Sequence, residues 1–172
     1  MNLPKLHTWP KPWRSLIAVF TSTVFIGFVS AVTFLEILTH LSPSGVISEY
    51  NGTPQAQMDT AVEMQFPKSV HNMLITTHNH VLGLSALSLI LGFLYLQTGE
   101  SSPWRTSIAS EPLLSLLFTF GSIWLMRFVS SDFVILVILS GTLMVLCTIW
   151  MCYRILLSCV QGSDYQPWLK KI

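Results

Sequence analysis

The stretch VHNMLITTHNHVLGLSALSLILGFLYL, residues 70–96, decides the fold because it is long, apolar and free of Asp, Glu, Lys and Arg. About 20 residues of this kind are enough for a helix to cross the hydrocarbon layer of a membrane. Three further runs have a similar apolar character, namely residues 15–39, 112–129 and 133–157. The sequence therefore predicts four membrane-spanning helices, of which residues 70–96 form the second.

The composition agrees with this prediction. Hydrophobic residues make up 51% of the chain and charged residues only 10%, whereas soluble globular domains contain about 25% charged residues. We therefore expect an all-α integral membrane protein, a four-helix bundle in a lipid bilayer, with residues 1–172 forming one transmembrane domain. The net charge of +1 argues against nucleic acid as a partner, since nucleic-acid binders present a basic stripe.

Capping and turn residues indicate where the spans end. Ser69 and Ser110 are predicted N-caps of the second and third spans, with Pro112 in the first turn of the third. Residues 130–132 leave room only for a tight turn, so the third and fourth spans are expected to form an antiparallel hairpin.

Lysine and arginine residues predict the orientation. With four spans, seven of the nine basic residues fall on the side of the two termini, and only Lys68 and Arg127 fall on the other side. The positive-inside rule then places both termini in the cytoplasm. The long loop at residues 41–69 faces outward, and its residues 55–65 are expected to form a short amphipathic helix on the membrane surface.

Four of the five histidines are expected at the outer face of the membrane. His40 ends the first span, and the second span carries the other three near its start: His71, His78 and His80. A helical hairpin of the first two spans would bring these positions together. His71 and His78 are two helical turns apart and share a face, whereas His80 points about 200° away from His78.

Two charged residues accompany these histidines at membrane depth. Glu36 lies four residues before His40 and shares its helix face, and Arg127 lies near the outer end of the third span. An unpaired charge at this depth is costly, so each is expected to contact a histidine, a cofactor or the other charge. Ionisable groups inside a membrane indicate a functional site.

Three hypotheses account for this cluster. In the first, a b-type haem takes two of the four histidines as axial ligands, and Arg127 pairs with a propionate. His40 with His78 or His80 is the simplest ligand pair, and Gly83 leaves room for the macrocycle. In the second, Glu36, His40 and one or two of His71, His78 and His80, with His78 and His80 as the first candidates, supply the ligands of a single zinc, copper or iron ion. In the third, the cluster is a hydrogen-bonded network without a ligand.

The chain also resembles a family of small bacterial inner-membrane proteins. The resemblance lies in Thr77-His78-Asn79-His80, a T-H-x-H segment that opens a transmembrane helix, and in the Leu-Gly-rich stretch at residues 89–93. Residues 124–130 and 140–144 are similar to that family's later hairpin. A more distant similarity is to membrane haem proteins whose helices begin with closely spaced histidines. The resemblance implies a multi-pass protein of the bacterial inner membrane and makes His78 and His80 the first candidate ligands.

These observations lead to one functional expectation with two alternatives. We expect a subunit of a respiratory or other electron-transfer complex, carrying one b-type haem near the periplasmic face and exchanging electrons with a quinol pool or a periplasmic carrier. Such a subunit belongs to an oxidoreductase complex rather than acting as an enzyme alone. The alternatives are a non-catalytic accessory subunit that stabilises other membrane subunits of a larger complex, and a metal-binding assembly protein.

Overall fold

The structure is a computed structural model that describes residues 4–53 and 64–161. In these residues the chain is all helical, as predicted. Five α-helices are present: α1 (Lys11–Thr39), α2 (Pro43–Asn51), α3 (Val70–Leu96), α4 (Arg105–Phe128) and α5 (Val134–Val160). Single turns of 3-10 helix at Leu6–Thr8 and Ser131–Phe133 precede α1 and α5.

Four of these helices, α1, α3, α4 and α5, are long and apolar enough to cross a membrane. Their outward faces carry large exposed apolar side chains, among them Val19, Leu89, Phe118 and Leu139. Such faces are stable in lipid and not in water, so the chain is a multi-pass membrane protein in a bilayer.

The four long helices do not all pack equally. The closest packing joins α4 to α5 and α3 to α4, whereas α1 lies mainly against α5 and α2. The first two spans, α1 and α3, therefore do not pack closely against each other as the predicted hairpin requires. Between Val24 and Thr39 no residue of α1 is buried, so the second half of this helix adds little to the bundle.

Two apolar clusters form the core, one at each end of the bundle. At the N-terminal end, where α1 begins, the cluster includes Leu6, Ile17, Tyr95 and Ile155. At the histidine end, where α1 finishes, it includes Val46, Met73, Met126 and Val134. The side chain of Arg14 is buried at the N-terminal end and donates from Nε to the carbonyl of Trp9 (3.1 Å) and from Nη1 to that of Cys159 (3.0 Å).

The helix ends agree with the sequence in one case and differ in another. Ser69 is the N-cap of α3, its hydroxyl accepting from the backbone N–H of Asn72 at 3.2 Å. The prediction that Ser110 caps the third span is wrong, because α4 begins at Arg105 and Pro112 lies inside it. The polar residues of this first part obscured its helical pattern, and a proline in a membrane helix is tolerated where neighbouring groups compensate for the missing hydrogen bond.

The loop between the first two spans contains a helix that was not predicted. Ser42 caps α2 by accepting from the N–H of Gly45, and Pro43 occupies its first turn. A Cβ atom on Gly45 would lie only 1.9 Å from the carbonyl oxygen of Thr39, so glycine is required for α2 to fold back on the end of α1. His40 and Leu41 make this reversal with φ angles of +50° and +48°.

Backbone hydrogen bonds join the end of α2 to the segment that precedes α3. The N–H of Thr53 donates to the carbonyl of Gln65 at 2.9 Å, and the N–H of Lys68 donates to that of Tyr50 at 3.0 Å. The ammonium of Lys68 also forms an ion pair with Glu49. Most of the amphipathic helix predicted at residues 55–65 lies outside the described residues.

Candidate functional site

His40 is placed by the left-handed conformation that ends α1. Its backbone N–H donates to the carbonyl of Glu36 at 2.7 Å, which closes the last turn of the helix. The side chains of His40 and Glu36 are both exposed on α1. Among the described residues the Glu36 carboxylate forms no ion pair, so its expected partner is not provided by this part of the chain.

His71 and His78 share one face of α3, as their spacing predicts. This face also carries Leu74, Ile75 and Leu82, all largely exposed. The two imidazoles therefore lie on a surface that faces lipid or another membrane protein rather than the core of the bundle.

His80 lies on a different face of α3, the one that packs against α4. Its Nδ1 is 2.8 Å from the carbonyl oxygen of Thr76, one turn earlier, and its ring centroid is 5.5 Å from that of Phe120 on α4. Because a carbonyl can only accept, in the neutral imidazole this contact places the proton on Nδ1 and leaves the lone pair on Nε2. Imidazoles that bind metal ions in proteins usually have their second nitrogen held in this way.

A neighbouring hydrogen bond fixes the same stretch of α3 against α4. The indole Nε1–H of Trp124 donates to the hydroxyl of Thr77 at 2.9 Å. This hydrogen bond was not predicted from the sequence. A tryptophan inside a span nevertheless indicates such a bond, because a buried indole N–H needs an acceptor. The bond holds His80 at a fixed height beside Phe120.

Arg127 lies at the same end of the bundle but contacts none of the histidines among the described residues. Its Nε donates to the carbonyl of Lys68 at 3.4 Å, and its guanidinium lies 5.2 Å from the ring centroid of Phe128. Lys68 in turn lies over the ring of Tyr50 at 4.6 Å. Burial, reinforced by the negative charge of Glu49, raises the pKa of the Tyr50 hydroxyl above its ordinary value, so this tyrosine stays neutral at physiological pH.

The predicted ligand set for a metal ion does not assemble. In the part of the chain that the structure describes, no three residues of the types His, Cys, Asp and Glu are close enough to hold a metal ion. A site that combines Glu36 and His40 with His78 or His80 requires α1 to run beside α3. Instead, α1 packs against α5 and α2. Moreover, His78 and His80 point in different directions from their helix.

The donor chemistry at His80 fits one axial ligand of a haem, but the described residues do not enclose a slot for the macrocycle. A crevice lined by Tyr50, Thr76, Thr77 and Phe120 lies between α3, α4 and α2, and it is too small to hold a water molecule. Sites for small-molecule ligands and cofactors usually have about 300 to 1,000 Å³. A haem ligated by His80 would therefore lie at the surface of the bundle, and His80 is itself exposed there.

Comparison with known proteins gives one match. A family model described as a transmembrane helical domain, Aq_1264_TM, matches residues 40–166. This range contains α2 to α5 and the three histidines of α3. No curated protein and no solved structure matches the chain.

Proposed function

This chain belongs to the Aq_1264_TM family of transmembrane helical domains, and we propose that it is an electron-transfer subunit that holds one b-type haem at the histidine end of the bundle. The proposal assigns both termini to the cytoplasm and the histidine end to the periplasmic side of a bacterial inner membrane, in keeping with the distribution of Lys and Arg. The haem supplies a one-electron carrier between a quinol pool or partner subunit and a periplasmic acceptor.

One observation carries the proposal, namely the contact between His80 Nδ1 and the Thr76 carbonyl. This contact orients the ring and favours the neutral tautomer whose Nε2 can coordinate iron. The Trp124–Thr77 hydrogen bond holds the same turn of α3 against α4, which keeps His80 at one depth in the membrane. His80 is thus the first candidate ligand, and this geometry favours it over His78.

The remaining residues have supporting roles. His40, His71 and His78 are exposed imidazoles on the same half of the molecule, and one of them is the second ligand if the chain supplies both. Within the described residues only Nε of Arg127 donates a hydrogen bond, to the carbonyl of Lys68, so its other guanidinium nitrogens suit a propionate.

His80 is exposed at the surface of the bundle, which favours a haem site that another membrane subunit completes. His71 and His78 are polar groups on an apolar, lipid-facing surface, where a polar side chain is stable only with a partner. A partner subunit packed on this face would cover both imidazoles and the exposed side of the haem. The same surface supports the second candidate, a non-catalytic accessory subunit that docks by this face and binds no haem.

A visible absorption spectrum of the full-length protein distinguishes the two candidates. We expect protein purified in mild detergent from haem-replete cells to show a b-type spectrum, oxidised and reduced, with about one haem per chain by extraction. His80→Ala should abolish this spectrum, whereas Asn79→Ala, its exposed neighbour, should leave it unchanged.

Alanine variants of the other histidines test the second ligand. One of His40→Ala, His71→Ala and His78→Ala should also abolish the spectrum, and the other two should only shift it. A wild-type protein without haem, or a full low-spin spectrum in all four histidine variants, would contradict the proposal. The first of these results would select the accessory role.

A further inference from the structure

A second region of interest lies at the opposite, N-terminal end of the bundle. It is a cleft of about 380 Å³ between the start of α4 and the later part of α5, open at the bundle surface. This volume is within the range of small-molecule sites. Its walls are mainly apolar and include the side chains of Glu100, Trp104, Ser107, Glu111, Cys147 and Trp150.

The charges in this cleft do not cancel among the described residues. Glu100 has a counter-charge, because Arg154 Nε lies 3.1 Å from its Oε2. Glu111 has no such counter-charge among the described residues: its Oε1 accepts from the Ser115 hydroxyl, and the thiol of Cys147 lies against the same carboxylate. The cleft therefore contains one carboxylate whose negative charge is unmatched in this part of the chain.

Other polar groups around the cleft also have unused hydrogen-bonding capacity. The pair of Glu100 and Arg154 is close in distance, yet neither Glu100 Oε2 nor Arg154 Nε makes an aligned hydrogen bond. The hydroxyl of Tyr95, a fully buried side chain at the end of α3, lies close to Glu100 and Trp150 but makes no aligned hydrogen bond within the described residues. Unpaired buried polar atoms are rare in native proteins and indicate a bound water, ion or ligand.

The aromatic walls indicate the charge of that ligand. The indole rings of Trp104 and Trp150 line the cleft and are 68% and 42% exposed, so their faces are available. A cation over an indole face is stabilised by the ring quadrupole. The guanidinium of Arg154 already lies 5.9 Å from the ring centroid of Trp150, which shows that this wall accepts a positive group.

The position of the cleft along the membrane normal indicates that its ligand enters from the lipid bilayer. Trp104 precedes α4, and Glu111 lies six residues after Arg105, about 9 Å further along the helix at 1.5 Å per residue. Tryptophan is typical of the boundary between lipid head groups and acyl chains. A molecule dissolved in the bilayer could thus place its head group beside Glu111 and leave its chain in the lipid.

We propose that this cleft binds the primary ammonium head group of a membrane amphiphile. The N–H groups of the ammonium donate to the carboxylates of Glu111 and Glu100, and the indoles of Trp104 and Trp150 flank its positive charge. An ethanolamine-headed lipid and a free long-chain amine share this chemistry. The site is independent of the histidines at the other end of the bundle.

The first experiment titrates the full-length protein in dodecyl maltoside with dodecylamine, following tryptophan fluorescence. Because a charge-assisted hydrogen bond to a carboxylate is lost, Glu111→Gln should bind at least about tenfold more weakly than wild type. Dodecyltrimethylammonium, which has no N–H donor, should also bind more weakly to wild type. Glu49→Gln, which removes a carboxylate at the histidine end, should leave the affinity unchanged.

A second variant keeps the test valid if Glu111→Gln fails to fold. Trp104 is largely exposed, so Trp104→Ala should fold normally and weaken dodecylamine binding several-fold through the lost cation–π contact. Equal affinity of wild type, Glu111→Gln and Trp104→Ala for dodecylamine would overturn the proposal, as would equal affinity of wild type for the two surfactants.

Lipid analysis then distinguishes the two sources of the ammonium. Protein reconstituted with equal amounts of phosphatidylethanolamine and phosphatidylcholine is extracted, and the retained lipid is quantified by mass spectrometry. Enrichment of phosphatidylethanolamine on wild type, lost in Glu111→Gln, supports a lipid head group. Dodecylamine binding without such enrichment supports a free amine, and the absence of both overturns the site.

Discussion

Replacing Gly92 with alanine should destabilise the bundle, whereas the same change at Gly83 on the same helix should not. At Gly92, α3 approaches α4 so closely that an added Cβ would lie 2.7 Å from the carbonyl oxygen of Ala109. Both residues are buried, and the obstacle is backbone rather than a flexible side chain. At Gly83 an added Cβ meets no atom within 4 Å.

The two variants share one energetic term and differ in another. Alanine gains about 1 kcal/mol over glycine in the interior of a helix, and this gain applies at both positions. At Gly92 the helices must also move apart, and overpacking of this kind costs about 1–3 kcal/mol. The difference in unfolding free energy between Gly83→Ala and Gly92→Ala is therefore expected to be about 1–3 kcal/mol, since the shared gain cancels.

Reversible unfolding in mixed micelles measures this difference. The full-length variants are titrated with dodecyl sulfate in a mild detergent, and the loss of native structure is followed by circular dichroism and tryptophan fluorescence. Gly121→Ala and Gly141→Ala serve as further controls, because a Cβ at either position also meets no atom within 4 Å. Equal stability of Gly92→Ala and these controls would refute the close approach of α3 and α4.

Two other predictions concern the N-terminal end and the topology. Arg14→Met should lower the free energy of unfolding in the same assay by about 2–4 kcal/mol, because it removes two hydrogen bonds from a buried charged donor. Lys11→Met, at an exposed position, should have little effect. Equal effects of the two variants would mean that Arg14 acts only through its charge. Reporter fusions at Gly52 and Gly99 should locate to opposite sides of the membrane, with Gly99 cytoplasmic; the same location for both would contradict the four-span topology.

The fold could be predicted largely from composition and run length. Long apolar segments specify spanning helices because a bilayer leaves the backbone few alternatives, and this identified α1, α3, α4 and α5. The start of α4 was missed because Thr106, Ser107 and Ser110 are polar while the helix continues. The helix α2 was missed because Ser42-Pro43 is compatible with a turn as well as with an N-cap and a first helical residue.

The candidate site was predicted less completely, because residue spacing determines directions only within one helix. The spacing of His71 and His78 correctly indicated a shared face, and that of His80 a different one. Which helices become neighbours depends on tertiary packing, and the preference of α1 for α5 and α2 could not be derived from hydropathy. The same limit applies to the ion pair of Glu100 with Arg154, which joins the segment before α4 to α5 and depends on how these elements pack.

The hydrogen bond between Thr53 and Gln65 has a consequence for loop-closure entropy. It holds Thr53 and Gln65 beside each other, so that the described residues already bring these two points of the chain together. The entropic cost of closing a flexible loop rises only slowly with its length, by about 0.6 kcal/mol for each doubling. The length of the chain between Thr53 and Gln65 should therefore have little influence on the stability of the bundle.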